Sequence, residues 1–242
     1  MTEDLSVLTR AAPPPRARID YGAHPDQHAL VWEGATASAQ RPLVLLLHGG
    51  FWRPAYGLAH MSPMAAALAA SGWTVANIEY RRSPGNPQTS AADLRLALTT
   101  LPARIGRHNG RILLAGFSAG GHLALWLAAA HAPLHAVLAL APIASLRQAH
   151  EMQLSHDATG EFLGVATLQH WDPETLPDSA APVFIVHGEL DDTVPLELSR
   201  RYVARHPRAQ LIALPDTRHY ALIDPDSRAW PAVLSALRSC GL

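Results

Sequence analysis

The chain has 242 residues, with 19 arginines, no lysine, 20 acidic side chains, a single cysteine (Cys240) and a formal charge of −1. The missing lysine excludes Schiff-base and pyridoxal chemistry, a P-loop lysine and Ser–Lys mechanisms, and the lone cysteine excludes an internal disulfide framework, a Cys-rich zinc site and a CxxC redox motif. Near-neutral charge gives no electrostatic reason to expect nucleic acid or an anionic membrane as partner, while 48% hydrophobic and 16% charged residues describe a globular chain with a substantial core.

The opening MTEDLSVLTR has no apolar run of signal-peptide length, and residues 1–18, with the run AAPPPRAR, read as irregular. Alternating segments at Ala17–Tyr21 and Ala29–Glu33 suit edge strands. From residue 42 the pattern changes to short, continuously apolar runs: Leu43–Leu47, Val75–Tyr80, Ile112–Ala115, Ala136–Leu140, Val183–His187 and Ala209–Leu214. Runs of this kind suit parallel strands buried on both faces. Between them lie helical lengths. Met61–Ala70 closes on Ser71-Gly72; Ser90–Leu101 has Asp93 in its predicted first turn; Ala119–Ala130 is almost wholly apolar. Pro195–Arg205 and Pro225–Leu237 follow, the latter with Asp224 as its expected N-cap. Strands alternating with helices predict one α/β domain over 1–242, with the loops that follow the strands gathered on one rim. Residues 145–181 break the rhythm and carry Phe162 and Trp171, so they are expected to form an insertion of short helices over that rim. The most apolar stretch, Leu123–Leu146, is interrupted by His131, Pro133, His135 and Pro142, too often for a membrane span. A cytoplasmic protein is the resulting expectation.

Chemistry concentrates where strands end. Gly116-Phe117-Ser118-Ala119-Gly120-Gly121 places G-x-S-x-G between a strand and a buried helix, the context in which a tight turn lifts a serine above the sheet. His48-Gly49-Gly50-Phe51-Trp52 ends another strand on paired glycines, which frees backbone N–H groups. Tetrahedral acyl transfer needs such donors, and they are assigned to Gly50 or Phe51 together with Ala119. A serine needs a base, and a base needs a carboxylate to orient it. His219, in PDTRHY after the last strand, supplies the base; Asp191 and Asp192, in GELDD after another strand, are both candidates for the acid. Trp52, Phe117, Phe162, Trp171 and Tyr220 lie close in sequence to these segments and together are candidates for an aromatic substrate pocket.

HGGFW at 48–52, GFSAGG at 116–121, HGELDDTVP at 187–195 and RHYALIDP at 218–225 resemble the α/β-hydrolase superfamily, over nearly the whole chain from about residue 25. The resemblance implies a mostly parallel central sheet with helices on both faces and a short insertion over the C-terminal rim. It also implies Asp191 as the acid over its neighbour, giving Ser118, Asp191 and His219 in the order of that superfamily. HGG followed by an aromatic and Trp is similar to the arylformamidase (kynurenine formamidase) and small carboxylesterase branch, although Phe51 stands where formamidases often carry tyrosine. The expected activity is a serine hydrolase acting on a small ester or aryl formamide, with neither metal nor organic cofactor; the competing class is a non-catalytic hydrolase-like binding protein. Other features read blandly. His122 is expected to pack or hydrogen-bond beneath the turn, and the His131/His135 pair is split by Pro133. His150-Glu151 lacks the second histidine of a zinc motif because position 154 is Leu154. Glu79-Tyr80-Arg81-Arg82 reads as rim structure or a solvated face.

Overall fold

The computed structural model describes residues 3–130 and 134–241. Among the described residues, eight strands form one sheet: β1 (Ala17–Asp20), β2 (His28–Trp32), β3 (Leu43–Leu47), β4 (Val75–Ile78), β5 (Ile112–Phe117), β6 (Ala136–Leu140), β7 (Val183–Gly188) and β8 (Ala209–Leu214). Their spatial order is β1-β2-β4-β3-β5-β6-β7-β8. The β1–β2 and β2–β4 pairs are antiparallel and every other pair is parallel, so β3 to β8 all end on the same rim.

The side-chain alternation of a strand sorts the apolar runs onto two cores. In β3, Leu43, Leu45 and Leu47 pack on one face while Val44 and Leu46 pack on the other, and all five are fully buried. The first face is covered by α2 (Pro87–Arg104), α3 (Ala119–Ala130) and α6 (Glu197–Arg205), through residues such as Leu94, Leu123 and Leu198. The second is covered by α1 (Ser62–Ala70) and α7 (Trp230–Gly241), through Met64, Leu68, Val233 and Leu237. Helix α1 ends as its sequence predicts: Gly72 adopts φ +89° and Trp73 N–H returns to Leu68 O at 3.1 Å, closing the last turn. No helix among the described residues is long and apolar enough to cross a membrane.

Two helix starts differ from expectation by three residues or more. Helix α2 opens at Pro87, not Ser90, so Asp93 is not a first-turn charge. It is buried instead, accepting from Gln27 Nε2 at 2.6 Å, Arg81 Nε at 2.9 Å and Arg81 Nη2 at 2.6 Å. Helix α7 opens at Trp230, and Asp224 does not cap it. Its carboxylate accepts the guanidinium of Arg10 at 2.5 and 3.0 Å, which ties the N-terminal segment to the far end of the chain.

Residues 145–181 lie over the rim as short pieces: α4 (Leu146–Glu151), α5 (Leu154–Leu163) and 3-10 turns at Leu168–His170 and Pro173–Thr175. Ser145 caps α4 by accepting from Gln148 N–H at 3.2 Å. The fully buried Asp172 accepts from Leu146 N–H at 2.9 Å and Arg147 N–H at 3.2 Å, stapling the two ends of the insertion together.

Candidate active site

Strand β5 passes into α3 through Ser118, whose backbone sits at φ +55° in the left-handed region. Such a conformation in a non-glycine residue costs about 1–3 kcal/mol and persists only where its surroundings impose it. Here glycine makes the turn sterically possible. A Cβ on Gly116 would fall 2.3 Å from Gly120 O, and one on Gly120 would fall 2.4 Å from Leu47 O. Helix α3 therefore approaches β3 and β5 as closely as backbone allows, and its first N–H groups face the end of the sheet.

Beside it, Gly50, Phe51 and Trp52 have φ of +113°, +50° and +57°. This run turns the backbone away from any ladder. Among the described residues, the N–H groups of Gly50, Phe51 and Ala119 donate to no protein acceptor.

His219 Nδ1 lies 2.6 Å from Asp191 Oδ2. Asp191 and Asp192, inseparable by spacing, have different surroundings. Asp191 is buried: its Oδ1 accepts from Thr193 and Val194 N–H at 3.0 and 2.7 Å, and His187 Nε2 stands 3.3 Å from Oδ2. Burial works to raise the Asp191 pKa. The hydrogen bonds and charges of His187 and His219 outweigh it and hold the carboxyl well below the ordinary range. Asp192 points outward and pairs with Arg218 at 2.5 Å. An ionised Asp191 fixes the Nδ1–H tautomer of His219 and leaves Nε2 as a proton acceptor.

Ser118, His219, Gly50, Phe51, Phe117 and Tyr220 border one cavity of about 390 Å³. No hydrogen bond joins Ser118 to His219 within this structure. Two of the five aromatic residues anticipated for a pocket are therefore in it: Phe117, tilted against the His219 ring at 4.6 Å between centroids, and Tyr220, edge-on to His219 at 5.1 Å. Trp52, Phe162 and Trp171 are not. They form a buried stack behind the elbow, with Trp52 on Phe162 at 4.5 Å and Phe162 edge-on to Trp171 at 5.9 Å. His122 is the polar centre of that stack. Its Nδ1 accepts from Trp52 Nε1–H at 3.2 Å and its Nε2–H donates to Trp171 O at 2.8 Å, a pairing only the neutral imidazole can make. Burial lowers its pKa to about 4, so it stays neutral. These aromatics fasten the insertion to α3.

The remaining lining comes from residues that periodicity and motif do not mark: Leu8, Arg53, Tyr56, His60 and Ser155, with Ala55, Gly57 and Ala59. His60 is kept neutral, its pKa lowered to about 4 by burial and by the neighbouring His48.

Glu79-Tyr80-Arg81-Arg82 corrects the expectation of a solvated face. Glu79 is buried behind the glycine loop, where its carboxylate accepts from Leu58 N–H at 2.9 Å and Tyr80 N–H at 3.1 Å. It also pairs with Arg82 and lies 3.1 Å from His48 Nε2. Burial would raise the Glu79 pKa, but His48 and Arg82 together bring it down to about 2. Tyr80 stacks on His48 at 4.4 Å and donates its hydroxyl to His48 O at 2.9 Å. The signal available in the sequence is an acid directly after a buried strand, on the rim where other strands end in candidate site residues. Among the described residues no group of side chains could hold a metal ion, and His131 lies outside them.

A doubly covered, mostly parallel sheet with a strained serine elbow and a histidine–aspartate pair on its rim defines an α/β-hydrolase. Residues 31–205 match the BD-FAE family, and the chain belongs to that family. Esterase LipC of Mycobacterium tuberculosis is 24% identical over 237 residues, covering 78% of this chain and 54% of its own length. Kynurenine formamidase of Salmo salar is 30% identical over 107 residues, covering 44% of this chain and 36% of its own. The chain spans about half the length of curated relatives such as LipC. Esterase B of Lactobacillus rhamnosis superposes with a TM-score of 0.79 at 20% identity, over 95% of this chain and 87% of that one, which shows a shared fold.

Proposed function

We propose that the protein is a serine hydrolase that cleaves small carboxylic esters through an acyl-enzyme. The observation that carries this reading is the shared cavity. It brings together Ser118 on its strained turn, His219 paired with a buried and ionised Asp191, and backbone N–H groups without protein acceptors. In the proposed reaction Ser118 Oγ bonds to the substrate carbonyl carbon as its proton passes to His219 Nε2. The oxyanion that forms is held by the N–H of Ala119 and that of Gly50 or Phe51. Collapse breaks the bond to the leaving group, which takes the proton from His219. Water then repeats the sequence and releases the acid, with Asp191 stabilising the imidazolium in both halves. The esterase relatives support the same class of reaction.

Hydrolysis of aryl formamides is the second reading. It is favoured by the likeness to kynurenine formamidase and by an aromatic lining of Phe51, Phe117 and Tyr220 that fits a flat ring. Comparing kcat/KM for p-nitrophenyl acetate and butyrate with that for N-formylkynurenine decides between them. Ser118→Ala is expected to abolish turnover and fluorophosphonate labelling at an unchanged melting temperature; undiminished turnover in that variant overturns both readings and leaves the hydrolase-like binding protein.

A further inference from the structure

The N-terminal segment, expected to be irregular, is seated against the catalytic rim. A 3-10 turn at Ser6–Leu8 buries Val7 at 1% exposure in the same core as Leu222 and Ile223, which follow His219 closely in the chain. Three contacts fix the seat. Arg10 binds Asp224 at 2.5 and 3.0 Å and Asp226 at 2.7 Å. The half-buried Glu3 accepts the N–H of Tyr220 through Oε1 at 2.6 Å. Leu8 borders the cavity that holds Ser118 and His219.

We infer that residues 3–10 are a working wall of the active site, in which Leu8 limits the size of group the substrate can place in the cavity and Glu3 is a positioning residue for the loop that carries His219. The geometry gives each a distinct task. Tyr220 opens the 3-10 turn Tyr220–Leu222, so its N–H has no partner within that turn. Glu3 satisfies it from outside and so sets the direction in which the backbone leaves His219. The position matters because a base displaced by about 1 Å loses up to a hundredfold in rate. Leu8 is the largest aliphatic side chain of the lining, where Ala55 and Ala59 are the other aliphatic ones and Arg53, Tyr56, His60 and Ser155 carry polar atoms. It is the surface against which an alkyl group would pack. Truncating it opens room for several methylenes, and each methylene in an apolar pocket changes kcat/KM by roughly tenfold or more.

This inference rests on the ester-hydrolase reading, and its test separates the two. The ratio of kcat/KM for p-nitrophenyl octanoate to that for p-nitrophenyl acetate is measured in the full chain and in its variants. Leu8→Ala is expected to raise the ratio about tenfold and Leu8→Trp to lower it by a similar factor. Glu3→Ala is expected to lower kcat about tenfold with little change in KM, and Glu3→Gln, which keeps an acceptor for Tyr220 N–H, to recover most of it. A segment that only stabilised the fold would lower the melting temperature of all four variants and leave the octanoate-to-acetate ratio and the Gln rescue unmoved; that outcome overturns the inference while the hydrolase reading stands. If the unaltered chain cleaves neither ester and fluorophosphonate does not label Ser118, the hydrolase reading fails and this one falls with it.

Discussion

Ser118 is held in place by backbone, whereas the wall across the cavity is held by side chains. Beneath the serine, Gly116 and Gly120 let α3 close onto β3 and β5 with no side chain between them, and Gly120 fills space that a methyl group would share with Leu47 O. Across the cavity, Leu8 and Ser155 belong to segments fastened by Arg10, Glu3 and Arg53, through long side chains that are partly exposed to water. Close backbone packing has no alternative arrangement short of unfolding, while side-chain ties can be lost singly and the segment they hold can move. The proposed site therefore has a rigid floor and an adjustable wall. Alterations on the floor should act on chemistry, and alterations on the wall on substrate selection.

The largest effect should follow Asp191→Asn. The asparagine keeps the shape and an acceptor for Thr193 and Val194 N–H, but it presents the wrong partner to His219 Nδ1. A histidine forced into the other tautomer has a proton where it must accept one, and about ten-thousand-fold in kcat is the expected loss. Asp192→Asn, one residue away, breaks only an exposed pair with Arg218 and should change kcat by less than about twofold. Equal losses at the two positions would remove the assignment of the acid.

That contrast also marks what was legible in the sequence. The strands of the core can be read because they are mostly apolar, broken only by single polar residues such as Asn77 and Gln210, and all five parallel ones after β3 end within two residues of expectation. That Ser118 and His219 share one cavity can be read because strand–turn–helix context and chain order place both on the rim where the parallel strands end. Physical reasoning alone did not separate Asp191 from Asp192, since both follow the same strand; the difference lies in three-dimensional burial and in His187, four residues back. The aromatic pocket is legible at only two of its five expected residues, for a related reason. Phe117 and Tyr220 adjoin Ser118 and His219 in the chain and share their cavity, but adjacency to a catalytic segment says nothing about which side of the turn a ring takes. Trp52, Phe162 and Trp171 took the side facing α3. Leu8 was invisible because a lone apolar turn before a proline run has no period to reveal it.

Glu79 lies between floor and wall: it sits beneath the glycine loop, yet it acts through its side chain. Glu79→Gln leaves the buried Arg82 without its anion and weakens the tie to Leu58 N–H. Breaking a buried ion pair from one side costs roughly 3 kcal/mol, and loosening the donors at Gly50 and Phe51 should cost about tenfold in kcat. The stability difference carries a pH signature. The Glu79 carboxyl is lowered from 4.5 to about 2 on folding, so the folded state favours the ionised form. Its contribution is fully present above about pH 4.5 and is lost as pH falls toward 2. Melting temperatures of the native chain and the variant should thus differ most near neutrality and converge in acid, where a constant gap would show that the carboxylate charge is not what holds the loop.

Apart from the Asp192→Asn control, Arg53→Ala should have the smallest effect on rate and the most informative one on motion. The Arg53 guanidinium ties the end of the glycine loop to the insertion, with Nη1 2.7 Å from Ser155 Oγ, Nη2 2.6 Å from Ser155 O and Nε 2.8 Å from Glu161 Oε2. The segment it grips is strained: Ser155, His156 and Asp157 all adopt left-handed φ between +51° and +58°, at about 1 kcal/mol or more each for residues other than glycine. Two further ties resist relaxation, since Asp157 pairs with His150 at 2.6 Å and caps the following turn by accepting Gly160 N–H at 3.0 Å. Removing the guanidinium leaves those ties in place, and Arg53 is itself partly in water, so the net loss should be near 1 kcal/mol, a fall of about 2–4 °C in melting temperature. Amide exchange should rise across residues 153–164 while it stays unchanged in α3, and KM should rise more than kcat falls. Arg53→Lys keeps the charge but not the fork that reaches Ser155 and Glu161 together, so it should fall between the two. If exchange rose equally beneath Ser118, the floor and the wall would be one cooperative unit, and substrate selection could not be altered without altering the chemistry.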